Sequence, residues 1–181
     1  MENKKISVKS LVFTALAVAL VTVCTMVIQI PVPSTGGFIN FGDIMIFSVA
    51  IALGKRKGAV AGGVGSCLAD ILTGYAIFAP GTFIIKGIEG FLCGLIYEKL
   101  NKKVNNVVSV AISCIIAGAF MVCGYFIYES IIFSVESAIG SVIGNLIQAG
   151  VSAVVAIPIS LALQKATKNI VVKNEVEENI A

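Results

Sequence analysis

Lys86 and Glu89 carry the clearest chemical content in this chain. They stand three positions apart, so on a helix they share a face. Both lie inside an apolar stretch, where an ionised side chain is costly and as a rule faces a cavity or an opposite charge. Asp43 and Asp70 interrupt two other apolar stretches, and Asn145 and Gln148 form a second pair three apart. An ammonium, carboxylates and amides of this kind can hold a polar ring by hydrogen bonds. They also suit a structural part. Asp43 and Asp70 are both candidate counter-ions for Lys86, and Asn145 and Gln148 can tie helices together.

Other chemistries are closed. The chain has no His, which removes a His base, a His metal ligand and a Ser-His-Asp triad. No stretch matches GxxxxGK[ST], so ATP cannot be bound by a Walker loop. Cys24, Cys67, Cys93, Cys114 and Cys123 each sit in an apolar run without a CxxC pair. They read as small hydrophobes rather than a disulfide framework or metal site. No metal, cofactor or nucleic-acid partner is expected. An enzyme would be left with a carboxylate mechanism through Asp43, Asp70 or Glu89, and the chain reads as a non-enzyme.

The elements that must position these groups are membrane helices. The 181 residues are 57% hydrophobic and 13% charged, with a mean hydropathy of +1.00. A soluble domain carries about 25% charged residues. Six spans of about 20 residues each nearly fill the chain. The expected class is an all-α integral membrane bundle of six transmembrane helices. The apolar runs are 11–30, 38–54, 58–74, 82–97, 107–128 and 138–163, forming a membrane domain over 10–165 between polar tails 1–9 and 166–181. The first run lacks an A-x-A site and reads as an uncleaved helix. Loops are expected from Pro31 to Gly37, from Tyr75 to Gly81, and around Glu129 and Glu136. Runs two to four are short, so they are tilted, shielded by longer helices, or, in a four-span alternative, partly re-entrant.

Charge sets the orientation. Twelve of the thirteen Lys and Arg residues fall in the N-terminal tail, the 54–58 turn, the 98–106 loop and the C-terminal tail. These share one side of a six-span path, and the positive-inside rule makes that side cytoplasmic, with both termini inside. Lys86 then lies about 7 Å into helix four from its outer end. Asp43, Asp70, Glu129, Asn145 and Gln148 fall in the same outer half, and the inner half has almost no equivalent outside the basic loops. This pattern implies a polar cavity open to the outside and sealed from within. Phe38, Phe41, Tyr75, Phe78, Tyr125 and Tyr128 lie near that level to cover a flat ligand. The glycine sets Gly54/58/62, Gly90/94 and Gly140/144 read as packing faces, and helix one carries Ala15 and Ala19 at the same spacing.

Over about residues 8–165 the chain resembles the substrate-binding S components of energy-coupling factor (ECF) vitamin transporters. The resemblance lies in Ala15-xxx-Ala19, the stretch Gly37-Phe-Ile-Asn-Phe-Gly-Asp43, and Gly58-xxx-Gly62-Gly63-xx-Ser66-xxx-Asp70. It continues in Phe83-Ile-Ile-Lys86-Gly-xx-Glu89-Gly90. It is nearest the riboflavin, hydroxymethylpyrimidine and pyridoxine branch. It implies six helices, a vitamin bound near the outer face, a lid between helices one and two, and no ATPase in the chain. It also implies docking through Ala15 and Ala19 onto a membrane T subunit with two cytoplasmic ATPases, in a bacterial plasma membrane. The expected substrate-binding set is Asn40, Asp43, Asp70, Tyr75, Lys86, Glu89, Tyr125, Asn145 and Gln148. The chain lacks the Trp of thiamine-type sites, which favours a small hydroxymethylated pyrimidine or pyridine, with riboflavin as the alternative. A solo secondary transporter is the runner-up function, but no internal repeat or midplane polar site supports it.

Overall fold

The computed structural model describes the backbone of residues 8–180 and the side chains of residues 8–167. Lys4 and Lys5 of the expected N-terminal tail, and the side chains of Lys168 and Lys173, lie outside the described residues. Among the described residues there are six helices and one two-stranded hairpin. They run α1 (Val8–Val27), β1 (Gln29–Val32), β2 (Gly37–Asn40), α2 (Gly42–Leu53), α3 (Lys55–Leu72), α4 (Ala79–Leu100), α5 (Asn106–Ile132) and α6 (Val135–Ile180). Four are long and apolar enough to cross a membrane: α1, α4, α5 and the Val135–Thr167 part of α6.

The hairpin departs from an all-helical chain. The first apolar run predicts a helix to Ile30, but α1 stops at Val27. Ile30 and Val32 each precede a proline, and the proline ring pushes the preceding residue into extended backbone. The result is β1, paired antiparallel with β2 in the register Gln29–Asn40, Ile30–Ile39, Pro31–Phe38 and Val32–Gly37. Gly36 closes the turn at φ 66°, and its N–H donates to the Val32 carbonyl at 2.9 Å.

The α2–α3 connection is tighter than expected. A single residue, Gly54 at φ 93°, joins the two helices, and Lys55-Arg56-Lys57 opens α3 rather than forming a loop. At 12 residues α2 is about 18 Å long, well short of a bilayer core of about 30 Å. Eight of those 12 residues are buried, and α2 packs against α1, α3, α4 and α6. Shielding by neighbours removes the need to match lipid thickness. Two other boundaries move. α4 starts at Ala79, not Thr82, with Pro80 in its first turn, so Lys86 lies about 10 Å from that end. Glu129 and Glu136 are helical residues of α5 and α6, not loop residues, and α6 continues past Leu163 through the segment expected as a polar tail.

Glycines set the α3–α4 distance. A Cβ on Gly90 would sit 2.3 Å from the Gly58 carbonyl oxygen, and one on Gly62 would sit 2.4 Å from that of Lys86. In lipid, close backbone approach and van der Waals packing replace the hydrophobic drive between helices. Gly140 and Gly144 do something else: they seat the hairpin on α6, against Ser34 and Ile39. The end of the bundle away from the hairpin carries polar contacts beside the basic turns. Tyr97 donates to Asn106 Oδ1 at 2.9 Å, Asn106 to Gln164 Oε1 at 3.0 Å, and Gln164 back to the Tyr97 hydroxyl at 2.7 Å. This closed ring ties α4, α5 and α6 together.

Candidate ligand-binding site

The hairpin forms one wall of a cavity of about 430 Å³, a volume that includes its mouth. Val32, Thr35, Phe38 and Asn40 line it from the hairpin. Asp70 reaches it from the end of α3, and Phe78 and Thr82 from the start of α4. Tyr125 and Glu129, four apart on α5, share a face there, as do Ser141, Asn145 and Gln148 on α6. The polar groups of α5 and α6 therefore arrive by helical periodicity, on helices that converge under the hairpin.

Two groups of the polar lining, the carboxyls of Asp70 and Glu129, are acceptors when ionised. Asp70 is buried, and its Oδ2 has no hydrogen-bond partner among the described residues. Glu129 is also buried and accepts a hydrogen bond from the Ser141 hydroxyl. The hydroxyls of Thr82 and Tyr125 are hydrogen-bonded at 3.0 Å. Among the described residues no lysine or arginine lines the cavity. An aromatic cover runs from Phe38 to Tyr75 (ring centroids 4.5 Å apart), to Phe78 (6.4 Å) and on to Phe133 (5.6 Å).

Beneath the cavity lies a fully buried ion cluster. Lys86 donates to Asp43, and its Nζ is 3.0 Å from Glu89 Oε2. Neither oxygen of Glu89 has an aligned hydrogen bond among the described residues. Lys86 Nζ also sits 5.5 Å from the centre of the Tyr125 ring, so Tyr125 separates the ammonium from the cavity. Gln148 connects cluster and hairpin: its Nε2 donates to Asp43 Oδ2 and its Oε1 accepts from the Asn40 N–H, both at 2.8 Å.

The expected site set therefore divides. Asn40, Asp70, Tyr125, Asn145 and Gln148 line the cavity. Asp43, Lys86 and Glu89 do not; they form the cluster below it, because on α4 the Lys86 and Glu89 face turns toward α2. Tyr75 does not line it either and packs outside, on Phe38. Of the two candidate counter-ions, Asp43 pairs with Lys86 and Asp70 is left to the cavity. The Asn40 side chain is partly committed, since its Oδ1 accepts from the Gly42 N–H at 2.9 Å and so caps α2. Ala15 and Ala19 are exposed on α1, away from the cavity. The sequence reading missed Thr35, Thr82 and Ser141, and it placed Glu129 in a loop. The spacing of Ser141, Asn145 and Gln148, at i, i+4 and i+7, marks one helix face and was the available signal.

Residues 5–165 match the family model of the ECF-type riboflavin transporter, S component. The thiamine precursor transporter HmpT of Lactococcus lactis subsp. cremoris (strain MG1363) is 30% identical over 167 residues, covering 91% of this chain and 92% of that protein. A Pyrococcus woesei protein described as an uncharacterized protein in gap 3'region is 38% identical over 129 residues, 71% of this chain and 84% of its own length. The family is one of transport components, not enzymes. An apolar helical bundle with a polar cavity at one end is what such a component requires, and the chain belongs to the ECF-type riboflavin transporter S-component family.

Proposed function

We propose that the chain captures a hydroxymethylpyrimidine-class ring from outside the cell as the substrate-binding subunit of an ECF importer. The observation that carries this reading is the pair of buried carboxyl groups, Asp70 and Glu129, in a cavity with no cation among its described lining residues. Buried acceptors left unpaired are costly, so the fitting ligand is one that presents donors. An aminopyrimidine supplies an exocyclic amine and a hydroxymethyl group, and Asn145 can meet a ring nitrogen. The likeness to HmpT points the same way. Riboflavin is the second reading, favoured by the family match.

In this proposal residues 10–165 form the membrane domain and cross a bacterial plasma membrane six times. The α2–α3 pair supplies two short, shielded crossings, and both termini face the cytoplasm. The basic residues at 55–57 and 99–103 support that orientation. Ala15 and Ala19, exposed on α1, dock onto a T subunit that works with two ATPases. Native mass spectrometry and thermal-shift titration of the purified chain with hydroxymethylpyrimidine, pyridoxine and riboflavin test the substrate. Tightest binding of hydroxymethylpyrimidine is expected. Tighter riboflavin binding replaces the first reading with the second, and no binding of any of the three overturns both. Uptake that persists without a co-expressed T subunit and ATPases overturns the importer assignment.

A further inference from the structure

Gln148 faces the cavity, yet both polar atoms of its side chain are already engaged by protein. Its oxygen holds the last N–H of β2, at Asn40, and its nitrogen holds Asp43 in the buried cluster. Among the described residues the Asn40–Gln148 contact is the one hydrogen bond between hairpin and α6. The hairpin also packs on α6 at Gly140, against Ser34, and at Gly144, against Ile39. Asp43 in turn is fixed by Lys86. Elsewhere the hairpin is tied to the end of α3, where Gln29 Nε2 donates to the Thr73 hydroxyl at 3.3 Å; the Gln148 amide ties α6 to the junction between β2 and α2.

We propose that Gln148 is a positioning residue of the cavity and not a ligand contact: it pins α6 to the β2–α2 junction at Asn40 and Asp43, and a bound molecule leaves when that pin breaks. The geometry supplies a swap that separates this role from simple polarity. In a Gln148→Glu, Asp43→Asn double variant, the carboxylate introduced at position 148 still accepts from the Asn40 N–H. The amide nitrogen introduced at position 43 donates to that carboxylate, the amide oxygen at 43 still accepts from Lys86, and the net charge is unchanged. Gln148→Glu alone sets two carboxylates against each other, and Gln148→Met removes both bonds.

Hydrogen exchange of the hairpin amides, in the ligand-free full-length protein in micelles, is the direct test. Both single variants are expected to speed exchange over residues 29–40 about tenfold, the scale of one lost hydrogen bond. The swap is expected to return it to within about threefold of the parent. Unchanged exchange in both single variants overturns the proposal. So does a swap variant that is as thermostable as the parent yet exchanges as fast as Gln148→Glu alone. A second arm rests on the proposed function: the dissociation rate of hydroxymethylpyrimidine should rise in the single variants and recover in the swap. A swap that restores hairpin protection but not dissociation makes Gln148 a ligand contact and overturns the proposal. If the parent binds no hydroxymethylpyrimidine, the substrate assignment fails while the exchange result still decides the role of Gln148.

Discussion

Lys86 on α4 is hydrogen-bonded to Asp43 at the start of α2, with neither side chain open to solvent. The pair sits beside a second acid, Glu89, whose oxygens have no aligned donor among the described residues. That asymmetry separates the two acids energetically. Removing one partner of a buried, hydrogen-bonded pair leaves an uncompensated charge and costs about 3–5 kcal/mol. Lys86→Met, which leaves two buried acids without their cation, should therefore lower the thermal midpoint of the purified protein by many degrees, and Asp43→Asn, which leaves the ammonium with Glu89 3.0 Å away, by less. Glu89→Gln removes an acid that has no aligned hydrogen bond and should cost about 1 kcal/mol or less. Equal losses for Asp43→Asn and Glu89→Gln would show that the ammonium is shared evenly between them.

Asp70 offers the reverse case. Its Oδ2 is buried without a partner among the described residues, so the folded protein gains little from the charge. Asp70→Asn should leave stability unchanged or raise it, while ligand affinity falls about 10–100-fold, the worth of one charge-assisted hydrogen bond. Glu129→Gln should weaken binding to a similar degree but also cost some stability, because Glu129 is bonded to Ser141. Calorimetric titration paired with thermal unfolding reads both quantities. An Asp70→Asn variant that binds like the parent removes Asp70 from the site.

Much of this arrangement is legible in residue order, and the misreadings have physical causes. Polar residues in apolar runs locate the cavity end, because lipid tolerates such groups only when they face one another. The partner of Lys86 is not readable: Asp43 and Asp70 lie at similar depth, and the choice between them depends on how α2, α3 and α4 are rotated against one another. Pro31 and Pro33 read as loop signals, although residues that precede proline are biased to extended backbone. Register needs a partner strand, and Gly37–Asn40 resembles the start of a helix. Tyr97, Asn106 and Gln164 escape notice because they lie near basic turns, where polar residues are ordinary. Glu129 resembles a loop residue because a charge ends its apolar run, and its partner Ser141 lies across the following turn.

The glycine contact between α3 and α4 makes a steric prediction. A methyl group at position 90 would meet the Gly58 backbone at 2.3 Å, and backbone cannot swing aside as a side-chain tip can. Gly90→Ala should force the helices apart and destabilise the protein by about 1–3 kcal/mol or more, as overpacking does. A methyl group added at Gly150, in the middle of α6, would have nothing within 4 Å. Gly150→Ala should be neutral or stabilising by up to about 1 kcal/mol, through helix propensity alone. Thermal unfolding of the two variants checks both, and a Gly90→Ala protein as stable as its parent would show that α3 and α4 are not held at this spacing.

Ala15 and Ala19 lie on the exposed side of α1, between the large exposed residues Leu11, Leu16 and Leu20. Among the described residues nothing needs them to be small, because neither is buried. A partner helix would, since small-xxx-small faces allow backbones to approach closely. Replacing both by Leu should leave ligand affinity and thermal stability within about 1 kcal/mol of the parent, as exposed substitutions do. Uptake in cells that express the T subunit and ATPases should nevertheless collapse, and the variant should fail to co-purify with the T subunit. Binding and transport are then separated by two residues that never touch the cavity. Full uptake by the double variant would place the docking face elsewhere on the bundle, and loss of binding would mean that the α1 face supports the site from within.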